Sequence, residues 1–195
     1  MEATKLKVGP ADHGRAMSLA NFAEAKGEPG HLYELARGVI QVVDVPGLPH
    51  GSVVYELETQ ILSWVAAHRD LVSYVGTGDR CVLRLAGMQS ERHPDLAVYI
   101  TAAPDPVNPW ERWVPDIVVE VVSEGGESRD YQEKRREYLA AGVREYWIID
   151  PQKRAVLVLL RATDVWREHR PTAKYTTPLL PEFILDIGRL FPGAG

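Results

Sequence analysis

Between Asp116 and Val122 the chain reads DIVVEVV, its most strongly β-prone run. Alternation along a strand puts Asp116, Val118, Glu120 and Val122 on one side, and Ile117, Val119 and Val121 on the other. The run is therefore apolar on both faces except at its acids, as in strands covered on both sides. Glu120 is the exception that matters. A carboxylate buried there without a partner is driven towards its neutral form. A cation, a metal or strong donors should stand beside it. The alternative is an ordinary structural salt bridge.

The surrounding pattern supplies layers for such a strand. Residues 1–16 are polar and read as loose, and Ser18 caps a short helix running to Ala25. Residues 31–45 read as two short strands about Gly38, and 45–51 as a Pro/Gly turn. From Ser52 to His68 the apolar positions Val54, Leu57, Ile61, Trp64 and Val65 follow helical spacing. Strands are expected at 71–76, 81–85 and 95–100, followed by a proline-rich loop at 101–110. A second helix fits Arg129–Ala141, capped by Ser128 and stopped by Gly142. EYWIID (145–150) and AVLVLL (155–160) read as strands, and ILDIGRLF in the tail as a short helix. Strand, helix, strand in this order implies an α/β (α+β) domain with a mixed sheet and two principal helices. A length of 195 residues suits a single domain, 1–195, with the motif-bearing core at 32–151. The two late strands offer a sheet edge for pairing between subunits, so a homodimer is expected.

Composition narrows the function. There are 22 Lys+Arg against 27 Asp+Glu, a net charge of −5, which argues against a basic coat for nucleic acid but leaves room for a local groove. The single cysteine, Cys81, excludes an intrachain disulfide and a Cys-based zinc site. It reads as a small buried hydrophobe at a strand start. MEATKLKVGPADHG has no apolar run, and no stretch approaches the roughly 20 apolar residues of a membrane span, so a cytoplasmic protein is expected. Gly76-Thr77-Gly78 has no following helix to make a dinucleotide loop, and Ser123 lacks a nucleophile elbow.

The acids and one lysine fall in a suggestive arrangement. In the 95–100 strand, Asp95, Ala97 and Tyr99 share a side. On the second helix, Tyr131, Lys134, Arg135, Tyr138 and Ala141 cluster on one face, while Gln132, Glu133, Arg136 and Glu137 look outward. Lys134 thus turns towards the sheet, one Gly-rich loop (124–127) after the Glu120 strand. Phosphodiester cleavage needs this kind of set. Carboxylates hold a divalent cation, and a lysine stabilises developing charge or positions the nucleophile. The competing reading has Lys134 snorkelling past its tyrosines to solvent.

Pro94-Asp95, then Glu120 in a second apolar strand, then a lysine, resembles the PD-(D/E)XK nuclease superfamily. YELARG (33–38), His50, RHPDLAVYI (92–100) and PDIVVEVVSEGGESRDYQEKRREYLAAGVREYWIIDP (115–151) are similar to its Uma-type restriction-endonuclease-like family. The resemblance implies a restriction-endonuclease-like mixed central sheet flanked by helices. It implies cleavage of DNA with Mg²⁺ or Mn²⁺, with Asp95 and Glu120 as catalytic acids and metal ligands. Val122 stands where the superfamily usually has its lysine, and the family places that charge on the following helix, making Lys134 the catalytic candidate. Glu34 matches as a third acid, and His50 as a polar contact to metal-bound water or phosphate. Asp116, in a second Pro-Asp, is either a decoy or a support at the strand entrance, and Glu58 reads as a partly buried charge pair. Two other functions fit the same residues: a nuclease-fold binding module without catalysis, and a metallohydrolase of a small phosphorylated substrate.

Overall fold

The computed structural model describes residues 6–43 and 47–191. The chain opens with β1 (Lys7–Val8), α1 (Leu19–Glu24), β2 (Lys26–Gly27) and the hairpin of β3 (Leu32–Ala36) and β4 (Val39–Val43). The long helix α2 (Leu48–Ala67) leads to β5 (Tyr74–Gly76), β6 (Leu83–Leu85), β7 (Ser90–Arg92), β8 (Leu96–Tyr99) and β9 (Ile117–Val121). A π-helical stretch, Arg129–Glu133, runs into α3 (Lys134–Ala141), followed by β10 (Glu145–Asp150), β11 (Ala155–Ala162) and β12 (Val165–His169). The chain then forms β13 (Lys174–Tyr175), β14 (Leu185–Asp186) and α4 (Ile187–Leu190).

The DIVVEVV run becomes β9, inside a six-stranded sheet ordered β12-β11-β10-β9-β8-β5. β9 pairs parallel with β10, as a strand–helix–strand crossover requires, and antiparallel with β8. Both faces are covered, as the sequence demands. Ile117, Val119 and Val121 meet Val53, Leu57, Ile61 and Trp64 of α2, whereas Val118 and Val122 pack with Tyr138 of α3 and with Tyr146 and Ile148 of β10. A four-stranded antiparallel sheet, β4-β3-β7-β6, stands beside this core and carries Glu34 and Arg92.

Several expectations shift. α2 begins at Leu48 instead of Ser52, because Pro49 sits in the first turn, where no amide donor is needed. Of the expected 45–51 turn, 45 and 46 fall outside the described residues, and the rest is Gly47 and helix. The polar segment up to residue 16 is tied down from residue 6. Lys7–Val8 pairs with Lys26–Gly27, Val8 is buried, and the Gly14 amide donates to the Ile40 carbonyl. Ser18 caps α1 as expected, its Oγ accepting from the Asn21 amide at 3.3 Å. Ser128 does not cap: its backbone is already helical (φ −62°, ψ −39°). Gly142 ends α3 in the left-handed region at φ +96°. β10 and β11 are interior strands, so they offer no free edge. The edges are β5 and β12, and β12 carries Arg167, Glu168 and His169, which blunts strand-to-strand pairing. Cys81 is buried just before β6, and burial pushes its thiol pKa up, which keeps it unreactive. No described helix is long and apolar enough to cross a membrane.

Candidate functional site

Register brings the two acids together. Leu96 pairs with Val119, so Asp95, one residue before β8, emerges opposite Glu120 on the adjacent strand. Asp95 Oδ2 accepts from the Val121 amide at 2.7 Å and lies 3.1 Å from His50 Nε2. His50 reaches it from the first turn of α2, which extends the helix just far enough towards the sheet. Glu120 is buried, and its Oε1 lies 2.9 Å from Lys134 Nζ while also accepting from the Tyr138 hydroxyl. Lys134 therefore points inward: its side chain is only 4% exposed, and it does not snorkel. Glu34, from β3, lies 3.6 Å from the same ammonium. Glu34, His50, Asp95, Glu120 and Lys134 all line one cavity of about 280 Å³.

Residues not anticipated as site groups complete the charge arrangement. Arg92, at the end of β7, is wholly buried and donates to Glu34 Oε2 at 3.0 Å and to Glu137 Oε2 at 2.6 Å. Ser90 donates to the other oxygen of Glu137 at 3.1 Å. Glu137 was expected to face outward and does not. It lies three residues after Lys134, on the same helical stripe, and Arg92 gives its charge a partner. Arg135, expected inward, instead pairs with Glu168 at 2.9 Å near the surface. Asp130 is buried in the π-helical stretch, 3.7 Å from Lys134, with one carboxylate oxygen unpartnered. Spacing from Lys134 was a usable signal for Glu137. Nothing local in the sequence marked Arg92, whose partners lie 45 and 58 positions away.

Two other acids fall outside the cavity. Asp116 sits at the far end of the same strand, accepting from the Ile100 amide at 2.8 Å and from Arg144 at 3.1 Å. It is a structural anchor for the sheet. Glu58 forms the expected partly buried pair with Arg80 at 2.8 Å. Val122 is buried in the apolar cluster around Tyr138 and Tyr146, where a lysine side chain would replace apolar packing.

The acids outnumber their cations, and their proton affinities diverge accordingly. Burial pushes Glu120 up to about 8. Lys134 opposes the rise, and the negative charges of Asp95, Asp130 and Glu34 add to it. Burial also raises Glu34, but Lys134, Arg92 and the His93 amide outweigh it and hold Glu34 at about 2. The carboxylates in turn raise Lys134 against its own burial. The linkage follows. Glu34, depressed on folding, contributes stability above its ordinary pKa of 4.5, lost as pH falls towards 2. That contribution is about 3 kcal/mol at neutral pH. Glu120, raised on folding, contributes stability at low pH that is lost as pH climbs from 4.5 through about 8. Urea unfolding from pH 3 to pH 9 in chelator should therefore show a decline between about 5 and 8 that Glu120→Gln removes. An unchanged decline in that variant would assign it elsewhere.

A mixed sheet flanked by helices, with acids from two adjacent strands meeting a helix-borne lysine at one cavity, is the architecture of a restriction-endonuclease-like nuclease fold. The chain belongs to the Uma2 family, described as "Putative restriction endonuclease", which matches residues 19–188. The fold is also similar to the crystal structure of a putative nuclease belonging to DUF820 from Anabaena variabilis. That chain has a TM-score of 0.71 and 22% identity, and the match covers 90% of this chain and 97% of that one. No match is found among curated proteins.

Proposed function

We propose that this protein is a metal-dependent endonuclease that hydrolyses DNA phosphodiester bonds. The observation that carries this reading is the Asp95–Glu120 pair, from adjacent strands, opening on one cavity with the buried Lys134 ammonium 2.9 Å from Glu120.

The donor set suits Mg²⁺ or Mn²⁺. Among the described residues no three His, Cys, Asp or Glu side chains form a ready metal cage. Mg²⁺ does not need one, since it commonly takes one or two carboxylates and fills its other positions with water and substrate phosphate. Burial chiefly, with the neighbouring acids adding to it, lifts Glu120 to about 8; that acid surplus and the unpartnered oxygen of Asp130 are what a divalent cation would relieve. Asp95 and Glu120 would hold the ion, which supplies Lewis-acid polarisation of the phosphate and a more acidic water. Around it, the Val121 amide and His50 orient Asp95, and Lys134 with Tyr138 orients Glu120. Glu34 is bound by Arg92 and the His93 amide, so its part is to help fix Lys134.

Purified protein incubated with supercoiled plasmid and Mg²⁺ or Mn²⁺ should yield nicked and linear forms, and chelator should abolish them. Absence of cutting with either ion counts against the reading.

A nuclease-fold binding module without catalysis is the second reading. It is favoured by the engagement of Glu120 Oε1 with two donors at once. Calorimetric titration with Mn²⁺ separates the two. An enzyme takes up the ion through Asp95 and Glu120, and a silent scaffold shows no specific uptake. For assembly, a homodimer remains our expectation, now without interior strands β10 and β11 as its contact. Sedimentation showing only monomer would refute it.

A further inference from the structure

Lys134 is poorly placed to meet a phosphate. Its ammonium already faces Glu120, Glu34 and Asp130 at 2.9, 3.6 and 3.7 Å. An anion approaching it meets those carboxylates as well, and the side chain is almost sealed from solvent.

Arg129 lines the same cavity under different conditions. Its side chain is 28% exposed. Asp130 Oδ1 lies 3.4 Å from its Nε, and one terminal nitrogen donates to Ser123 Oγ at 3.2 Å. A guanidinium has five N–H donors in a planar fork, suited to phosphate oxygens. Two of those donors are engaged, by Asp130 and Ser123, which leaves three. Glu34 and Glu120 also act on the guanidinium by charge, but Asp130 is the one carboxylate in direct contact with it among the described residues, against three for Lys134.

The backbone is arranged to bring this arginine in. On an ordinary helix Arg129 and Lys134, five residues apart, would point roughly 140° away from each other. The π-helical stretch closes the turn with the Lys134 amide donating to the Arg129 carbonyl, which stacks these two residues on one side. Gly126 clears the space beside them. A Cβ there would lie 2.7 Å from Ser123 Oγ and 3.0 Å from a terminal nitrogen of Arg129.

We propose that Arg129 is the phosphate-contacting residue of this site, its guanidinium taking a non-bridging oxygen of the DNA backbone at the cavity, while Lys134 holds the carboxylates in position. This assignment rests on the endonuclease reading above.

The test is binding of a fluorescein-labelled DNA duplex, followed by anisotropy across a salt series at fixed Ca²⁺, an oxygen-ligated cation that offsets the acids of the site in place of Mg²⁺ or Mn²⁺, with gel analysis confirming that the duplex stays uncut. Arg129→Ala should weaken binding about tenfold at low salt and flatten the slope of log affinity against log salt by about 0.9, one phosphate contact. Arg129→Lys keeps the charge and should keep the slope. Arg135→Ala, whose guanidinium is occupied by Glu168, should match wild type. Thermal melts confirm that each variant is folded. Wild-type binding that is retained in Arg129→Ala with the same affinity and slope overturns the Arg129 assignment alone. No salt-dependent binding by the wild-type protein overturns the DNA reading, and this assignment falls with it.

Discussion

On the proposed endonuclease reading, Asp95→Ala should lower Mg²⁺-dependent plasmid cleavage by about a hundredfold to a thousandfold, the range seen when a preorganised charge-stabilising group is deleted. The argument is local. Asp95 supplies one of the three carboxylates lining the cavity, beside Glu120 and Glu34, and the same oxygen ties the Val121 amide and His50 together. Removing it would take away a proposed metal ligand and free both partners. The matched control is Asp116→Ala, which alters the other Pro-Asp pair at the opposite end of β9. That variant loses its bonds to Ile100 and Arg144, so it should lose stability, yet it should still cut once folded. Initial rates on supercoiled plasmid, with Mn²⁺ calorimetry alongside, measure the contrast. Equal activity in Asp95→Ala and wild type would remove Asp95 from the site. Equal losses in both variants would point to folding instead of chemistry.

Arg92→Met is expected to destabilise the protein by about 3–5 kcal/mol, the cost of breaking a buried ion pair from one side. Its guanidinium is wholly buried between Glu34 and Glu137, at 3.0 and 2.6 Å. Methionine fills much of the volume but leaves the buried Glu137 without its closest cation and Glu34 with Lys134 alone. The loss should be partly recovered when Glu137→Gln is added, because the neutral amide no longer needs that charge, and a double-mutant cycle isolates the coupling. Urea midpoints for the single and double variants check this. A loss below about 1 kcal/mol would mean that water or a rearranged side chain replaces Arg92, and these pairs would not be what ties the four-stranded sheet to α3.

Much of the site can be read from short-range pattern alone. A two-residue period is enough to place Glu120 on the α3 side of a buried strand with Val118 and Val122. Gly142 was identifiable as a helix stop because only a residue tolerant of φ +96° ends α3 this way. Lys134 could be turned inward by helical spacing, since Tyr138 lies one turn later. The same reasoning misplaced Glu137 and Arg135, because assigning a face at 100° per residue assumes an uninterrupted helix and ignores partners. Those partners come from β7 and β12, distant in sequence.

Sequence by itself therefore determined most element types and the faces of β9. These depend on periodicities of two and 3.6 residues, which local sterics impose. Only the tertiary structure decided which charges meet. It joined His50 to Asp95 across 45 positions and inserted Arg92 between Glu34 and Glu137. It also wound 129–133 as a π-helix, so that Arg129, Asp130 and Lys134 converge. The reason is physical. A buried charge is tolerated only where an opposite charge or donor from another element arrives to meet it, and that arrival is a property of the packed chain.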